Sequence, residues 1–257
     1  LRGAAGMSAL LEARGLHKTY GRVKALDDVS LQLRRHEILA IVGESGSGKT
    51  TLLNVLGGRI APDEGEVVYD GAPLAALGEL GLRKLQRARW GFIQQDPRAA
   101  LRLDISAGGN IGERLMAAGA RHYGDIRETA RHWLEAVEID PARLDDMPKF
   151  FSGGMLQRLQ IAATLVTEPE LVFMDEPTGG LDVSVQARIL DLIGSLVRRL
   201  GLAVVIVTHD IGVARLLADR LIVMRHGRIV ETGLTDQVLD DPHHEYTQLL
   251  VSSVLPA

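Results

Sequence analysis

The chain has 257 residues, 46% of them hydrophobic and none of them cysteine, and its 29 basic and 33 acidic side chains leave a formal charge of -4. A chain of this size buries a substantial core in one domain or two closely joined lobes. Its charge offers no positive field to gather nucleic acid, and the lack of cysteine excludes disulfides, thiolate metal sites and cysteine-ligated clusters within the chain.

No apolar run reaches the roughly 20 residues of a membrane helix, and Leu1 to Met7 lacks the basic-then-apolar layout of a signal peptide. Direct membrane insertion is therefore not expected, and the cytoplasm is the expected compartment. Residues 1–6 are read as an extension, with a single domain over 7–257.

The segments around Leu11 to Leu16, Val29 to Leu33 and Glu66 to Tyr69, joined by turn residues such as Asp63, Gly65 and Gly71, predict an N-terminal antiparallel β region. Ile38 to Val42 is a short branched run without alternation, as are Leu171 to Met174, Val204 to Val207 and Leu221 to Met224. Such runs read as strands covered on both faces, the pattern of a parallel sheet flanked by helices. The expected class is α/β, with a core over 7–94 and 166–257. It is interrupted by a helical subdomain at 95–165, where Ile111 to Ala118, Asp125 to Val137 and Met155 to Leu165 have helical spacing.

Directly after the 38–42 run stands Gly43-Glu44-Ser45-Gly46-Ser47-Gly48-Lys49-Thr50, then Thr51 and a helical run to Leu56. Strand, glycine-rich loop, Lys-Thr and helix together make a phosphate-binding loop. Its glycines let backbone N–H groups wrap phosphates, Lys49 supplies a point charge near the β and γ phosphates, and the Thr50 hydroxyl ligates magnesium. The core is thus of P-loop NTPase type, which many nucleotide-hydrolysing enzymes share, with Mg2+ expected beside the phosphates. Further on, Leu171 to Met174 runs into Asp175-Glu176, which sets two carboxylates at the sheet edge where ligands bind. Asp175 is expected to hold magnesium through water and Glu176 to polarise the attacking water.

Phe151-Ser152-Gly153-Gly154-Met155 lies upstream of those acids. Alone, Ser-Gly-Gly is a good helix N-cap. In this order with the other two motifs the chain resembles the ABC ATPase family, and the resemblance covers nearly the whole length. Met155 stands where the commonest form of the family's signature has Gln. The resemblance implies that Ser152, Gly153, Gly154 and Met155 face a γ-phosphate held by another copy. It also implies a loop glutamine at Gln95, with Gln94 as the rival, touching magnesium and the water. His209 takes the part of the switch histidine, and Tyr20 that of the aromatic stacked on adenine. Thr178-Gly179-Gly180-Leu181-Asp182 takes the place of the loop that crosses to the opposite subunit, with Gly-Gly for the usual Ser-Ala and Asp182 retained. Each ATP is then sandwiched between Lys49 of one copy and Ser152 of the next, so that a homodimer is sufficient.

Within the family two branches compete. Asp182 to Ala187, Thr208 to Ala214 and the tail Asp241 to Leu250 are similar to ATPases of oligopeptide and nickel importers, whose partner is a membrane permease. Ser106 to Met116, Gly119 to Arg127 and the ending Leu249 to Leu255 resemble the ATPases of bacterial carbon-phosphorus lyase systems, which use phosphonates. That second resemblance implies docking on a soluble lyase core and ATP turnover that remodels or resets it. A third reading is a nucleotide-gated clamp that hydrolyses slowly, against which Glu176 argues. Arg83, Lys84, Arg87 and Arg89 form a basic run that reads either as a solvated helix face or as a partner contact. His243-His244 lacks acidic or thiol companions at ligand spacing and reads as a polar tail.

Overall fold

A computed structural model describes residues 9–253. The extension expected at 1–6 and the last two residues of the ending compared above lie outside them. In chain order, β1 (Ala9–Tyr20) and β2 (Val23–Arg34) lead to β3 (Ile38–Val42), α1 (Lys49–Leu56), β4 (Glu64–Tyr69) and β5 (Ala72–Pro73). Then come α2 (Gly78–Ala88), β6 (Trp90–Ile93), the short α3 (Pro97–Ala100), α4 (Ala107–Ala117), α5 (Tyr123–Ala136) and α6 (Gly153–Leu165). They are followed by β7 (Leu171–Asp175), α7 (Val183–Leu200), β8 (Ala203–Thr208), α8 (Ile211–Leu217), β9 (Arg220–Arg225), β10 (Arg228–Leu234), α9 (Thr235–Asp240) and α10 (Glu245–Ser252).

The chain forms two compact units. One runs to Leu82 and resumes at Leu202, and the other is Arg83–Gly201. The helical stretch at 95–165 lies inside the second unit, which also takes in β6, β7 and α7, because α6 packs against both β6 and α7.

In the first unit, β1 pairs antiparallel with β2 and with β4, and β4 with β5. Here polar and apolar residues alternate in part, and Val29 and Leu33 of β2 are fully buried while their neighbours face water. The same unit holds β3 paired in parallel with β8 on one side and with β9 on the other, with β10 antiparallel on β9. Every residue of β3 and of β8 is buried, which accounts for runs of Ile, Val and Leu without alternation. The register aligns Val42 with Thr208, so the residues that follow them, Gly43 and His209, leave the sheet at the same carboxyl edge.

In the second unit β6 and β7 pair in parallel, with Ile93 opposite Met174, so Gln94-Gln95 and Asp175 leave at one edge. Phe173 fixes this pair: its ring stacks on Phe92 at 5.0 Å and meets Trp90 edge-on at 5.3 Å. Burying a side chain of this size contributes about 1.5–3 kcal/mol, and the ring geometries add to that. α6 is buried nearly all round, from Leu156 to Leu165 with Arg158 as the exception. It forms the spine on which the second unit is built.

Candidate functional site

The phosphate loop is held by its own backbone geometry. Gly43 has φ +151° and Gly48 φ +105°, and a Cβ at either position would sit 2.3 Å from a backbone oxygen, that of Met224 and of Ala25 respectively. No other residue type fits there, because the atoms in the way are main chain rather than flexible side chain. The loop is also tied to the β9–β10 turn, where the Gly227 N–H donates to the Ser47 carbonyl at 2.9 Å. Lys49 is buried, and its Nζ donates to the carbonyls of Gly43 and Glu44 at 2.7 Å each. Gly48 and Lys49 open α1, with Thr50 and Thr51 on its first turn, so the positive end of the helix faces the loop.

Two further expected residues belong to the same unit. Tyr20 ends β1 and is half exposed, with the Lys18 ammonium 5.8 Å from its ring centre. It is not a core tyrosine, and its ring is available for stacking on a base. His209 is exposed where β8 ends. After it, Asp210 caps α8 by accepting from the Gly212 N–H at 2.8 Å, which fixes the turn that carries the imidazole.

The second unit brings Gln95, Asp175, Glu176 and the 178–182 loop to one edge. Between the two candidate glutamines, Gln94 has its main chain held by the buried Gln160 amide, which accepts from the Gln94 N–H at 2.6 Å and donates to its carbonyl at 3.2 Å. Gln95 is exposed and lines a cleft of about 330 Å³ with Gly153, Leu156, Gln157, Gly179 and Leu181. Its amide lies so near Gly179 that a Cβ there would come within 3.1 Å of Gln95 Nε2. Glu176 is half buried, and its backbone has φ +45°. A left-handed glutamate costs about 1–2 kcal/mol, and strain of this kind persists where the surroundings impose it, characteristically at working sites. The Gly179 N–H closing onto the Glu176 carbonyl at 2.9 Å is part of that constraint.

Gly180 also has positive φ, +76°, so the Gly-Gly pair serves two distinct needs: room for Gln95 and a left-handed turn. Asp182 then caps α7, accepting from the Val185 N–H at 2.9 Å and the Ser184 hydroxyl at 2.8 Å. The Val185 N–H first, then the Ser184 hydroxyl, hold its carboxyl below the ordinary carboxylate range. The sign follows from the depression. The cap's stabilisation is complete above the unfolded-state value and is lost as pH falls through the lower folded-state value. Asp182→Asn keeps a capping oxygen and removes the titration. Its thermal stability is expected to fall less steeply than that of wild type when the pH is taken below about 4; parallel pH profiles would show that the cap carries no charge dependence.

Ser152 is an N-cap as well as a candidate phosphate ligand, since its hydroxyl accepts from the Met155 N–H at 3.3 Å. Gly154 has a packing duty that the motif alone did not disclose: a Cβ there would press within 2.8 Å of Val185 on α7. Arg143, absent from the residues singled out in the sequence, lies 4.5 Å over the Phe151 ring and donates to Met155 Sδ at 3.3 Å. It braces both ends of the Phe151-to-Met155 stretch from the turn at Pro141–Asp145, and no sequence pattern marks it.

Other expectations need adjustment. Of the basic run, Arg89 chelates both oxygens of Glu170 at 2.6 Å, while Arg83, Lys84 and Arg87 are exposed on α2. His243-His244 is more than a polar tail. Glu231 accepts from both of their backbone N–H groups, and His244 Nδ1 caps α10 by accepting from the Tyr246 N–H.

The expected magnesium residues are all oxygen donors of the kind that suits a hard ion: the Thr50 hydroxyl in the first unit, and the Gln95 amide and Asp175 carboxylate in the second. Among the described residues no group of three or more His, Cys, Asp or Glu is arranged to hold a metal.

Residues 26–179 match the family model described as ABC transporter. The chain is 64% identical over 246 residues, 96% of its length and 98% of the relative's, to the putative phosphonates utilization ATP-binding protein PhnK of Escherichia coli K12. It is 38% identical over 260 residues to the oligopeptide transport ATP-binding protein OppD of Bacillus subtilis, covering 96% of this chain and 72% of that one. Among solved structures, cbiO1 of Clostridium perfringens, part of an ABC transporter complex, superposes with a TM-score of 0.82 at 29% identity, over 91% of both chains. A dimeric bacterial ABC transporter cassette gives 0.79 at 33% identity over 88% of this chain and 98% of its own. With a family model over more than half of its length and a relative alike over nearly all of both chains, the chain belongs to the ABC transporter family as an ATP-binding, ATP-hydrolysing cassette.

Proposed function

We propose that the chain works in the cytoplasm as a homodimer that sandwiches two Mg-ATP, docks on the proteins of a carbon-phosphorus lyase core, and uses ATP turnover to remodel or reset that core during phosphonate use. The supporting observation is the likeness to the phosphonates utilization protein, which spans nearly all of both chains and far exceeds the likeness to the peptide-import ATPases. Gln95, Glu176 and His209 are the catalytic residues in this reading. Tyr20, the residues from Gly43 to Thr51, and, across the dimer, Ser152 to Met155 and Asp182 hold the nucleotide. Thr50, Gln95 and Asp175 hold the magnesium. ATP closes the dimer and hydrolysis releases it, a coupling of nucleotide state to interface of the kind that γ-phosphate switches use. The radical or bond-breaking chemistry on a phosphonate belongs to partners, because this chain has no cysteine with which to ligate a cluster.

The competing reading is an importer motor, favoured by relatives whose names assign them to peptide import. No helix among the described residues is long and apolar enough to cross a membrane. A detergent-free pull-down of tagged Glu176→Gln with ATP and magnesium, from phosphate-starved cells of the source bacterium, separates the two. Soluble lyase proteins on the tag are the expected result. A multispan permease, recovered only after detergent is added, would make the chain an importer motor.

A further inference from the structure

The phosphate loop has an anchor outside its own motif. The Glu44 N–H, at the second position of the loop, donates to Tyr246 Oη at 2.9 Å, from a helix 202 residues along the chain. Tyr246 is 2% exposed, and its ring lies 4.7 Å beneath the guanidinium of Arg225, in the strand whose Met224 carbonyl backs Gly43. The tyrosine is itself held in place. Glu231 on β10 accepts from the His243 and His244 N–H groups at 2.8 and 3.1 Å, and His244 Nδ1 accepts from the Tyr246 N–H at 3.0 Å. Gln248 Nε2 donates back to the Pro242 carbonyl at 2.9 Å, closing the turn before α10. A continuous series of hydrogen bonds therefore runs from Glu231 through the His243-His244 turn and Tyr246 to the main chain of the loop.

We infer that Tyr246 is a positioning residue for nucleotide binding: by taking up the Glu44 N–H it sets the entrance of the phosphate loop, so that the donors that follow, from Ser45 to Thr51, are already turned toward the phosphates. The Glu231 clamp keeps the tyrosine at its post. Burial alone would raise the Glu231 carboxyl, but the His243 and His244 backbone N–H groups help to outweigh it and hold it below the ordinary carboxylate range, so the clamp is ionised at neutral pH. A tyrosine that merely anchored α10 would need any acceptor or donor for its hydroxyl. This one bonds the peptide whose orientation shapes the loop, and preorganised donors bind more tightly because less order remains to be imposed.

Tyr246→Phe removes the hydroxyl and leaves the ring under Arg225. In the nucleotide-free variant, amide hydrogen exchange at Glu44 is expected to speed up. The Kd values for ATP and ADP should rise together by about three- to tenfold, the worth of one hydrogen bond, while kcat at saturation moves less than twofold and Tm stays near that of wild type. Glu231→Gln is expected to shift both Kd values the same way by less. Ser253→Ala, which removes a hydroxyl bonded to the Leu250 carbonyl at the far end of α10, is expected to leave them unchanged. Unchanged nucleotide affinity in Tyr246→Phe, with or without faster exchange at Glu44, overturns the inference. So does an equal loss of affinity in Ser253→Ala, since that would trace the effect to α10 as a whole.

Discussion

Glu176→Gln is expected to bind ATP as tightly as wild type, to lose hydrolysis by about 10²- to 10⁴-fold, and to accumulate as a dimer when ATP and magnesium are present. The glutamine side chain has the same shape and still accepts a hydrogen bond, but it cannot take a proton from water. Position 176 adds a feature that makes the test clean. Its backbone is left-handed at φ +45°, a strain that glutamine inherits in full because it lies in the main chain. The variant should therefore melt with wild type, and a loss of activity can be assigned to the carboxylate rather than to a relaxed loop. Single-turnover hydrolysis beside gel filtration in ATP reads both quantities. A variant as active as wild type removes Glu176 from its role. If wild type itself hydrolyses ATP less than about tenfold faster than the variant, short of the 10²-fold that a general base supplies, the slowly hydrolysing clamp becomes the better description.

Much of this was legible in the residues because the physics there is local. The runs 38–42 and 171–174 were readable as strands since complete burial leaves no polar position, and they proved to be β3 and most of β7. The phosphate loop was readable since its glycines answer to main-chain atoms a few ångströms away, which no side chain can accommodate. What stayed hidden depends on contacts that no repeat or motif spacing encodes. Arg143 supports Met155 through a sulfur contact and Phe151 through its ring face, and neither contact leaves a periodic trace. The charge run 83–89 read as one surface, yet Arg89 is committed to Glu170, a residue 81 positions away. The tail around Tyr246 read as a family likeness without a physical task. Its task lies in a bond to Glu44, which only the fold brings near. Motif spacing reports short-range geometry, and long-range supports of a motif have to be seen in three dimensions.

Lys49→Ala should raise the Kd for ATP by about 10- to 100-fold, the scale of one or two hydrogen bonds to a charged group. The buried ammonium has two duties. It ties the Gly43 and Glu44 carbonyls together at 2.7 Å each, and in the function proposed above it is the point charge for the β and γ phosphates. Alanine removes both, so the variant is also expected to melt below wild type by an amount corresponding to about 1–3 kcal/mol, the cost of leaving buried acceptors unpaired. The two duties separate by ligand. Loss of loop order weakens ATP and ADP alike, the pattern expected of Tyr246→Phe. Loss of a charge that reaches the γ-phosphate weakens ATP more than ADP. Calorimetric titration of each variant with both nucleotides therefore distinguishes a residue that shapes the loop from one that also faces the phosphates. A normal ATP affinity in Lys49→Ala would take the lysine out of the phosphate site, and equal losses for ATP and ADP would remove the γ-phosphate from its contacts.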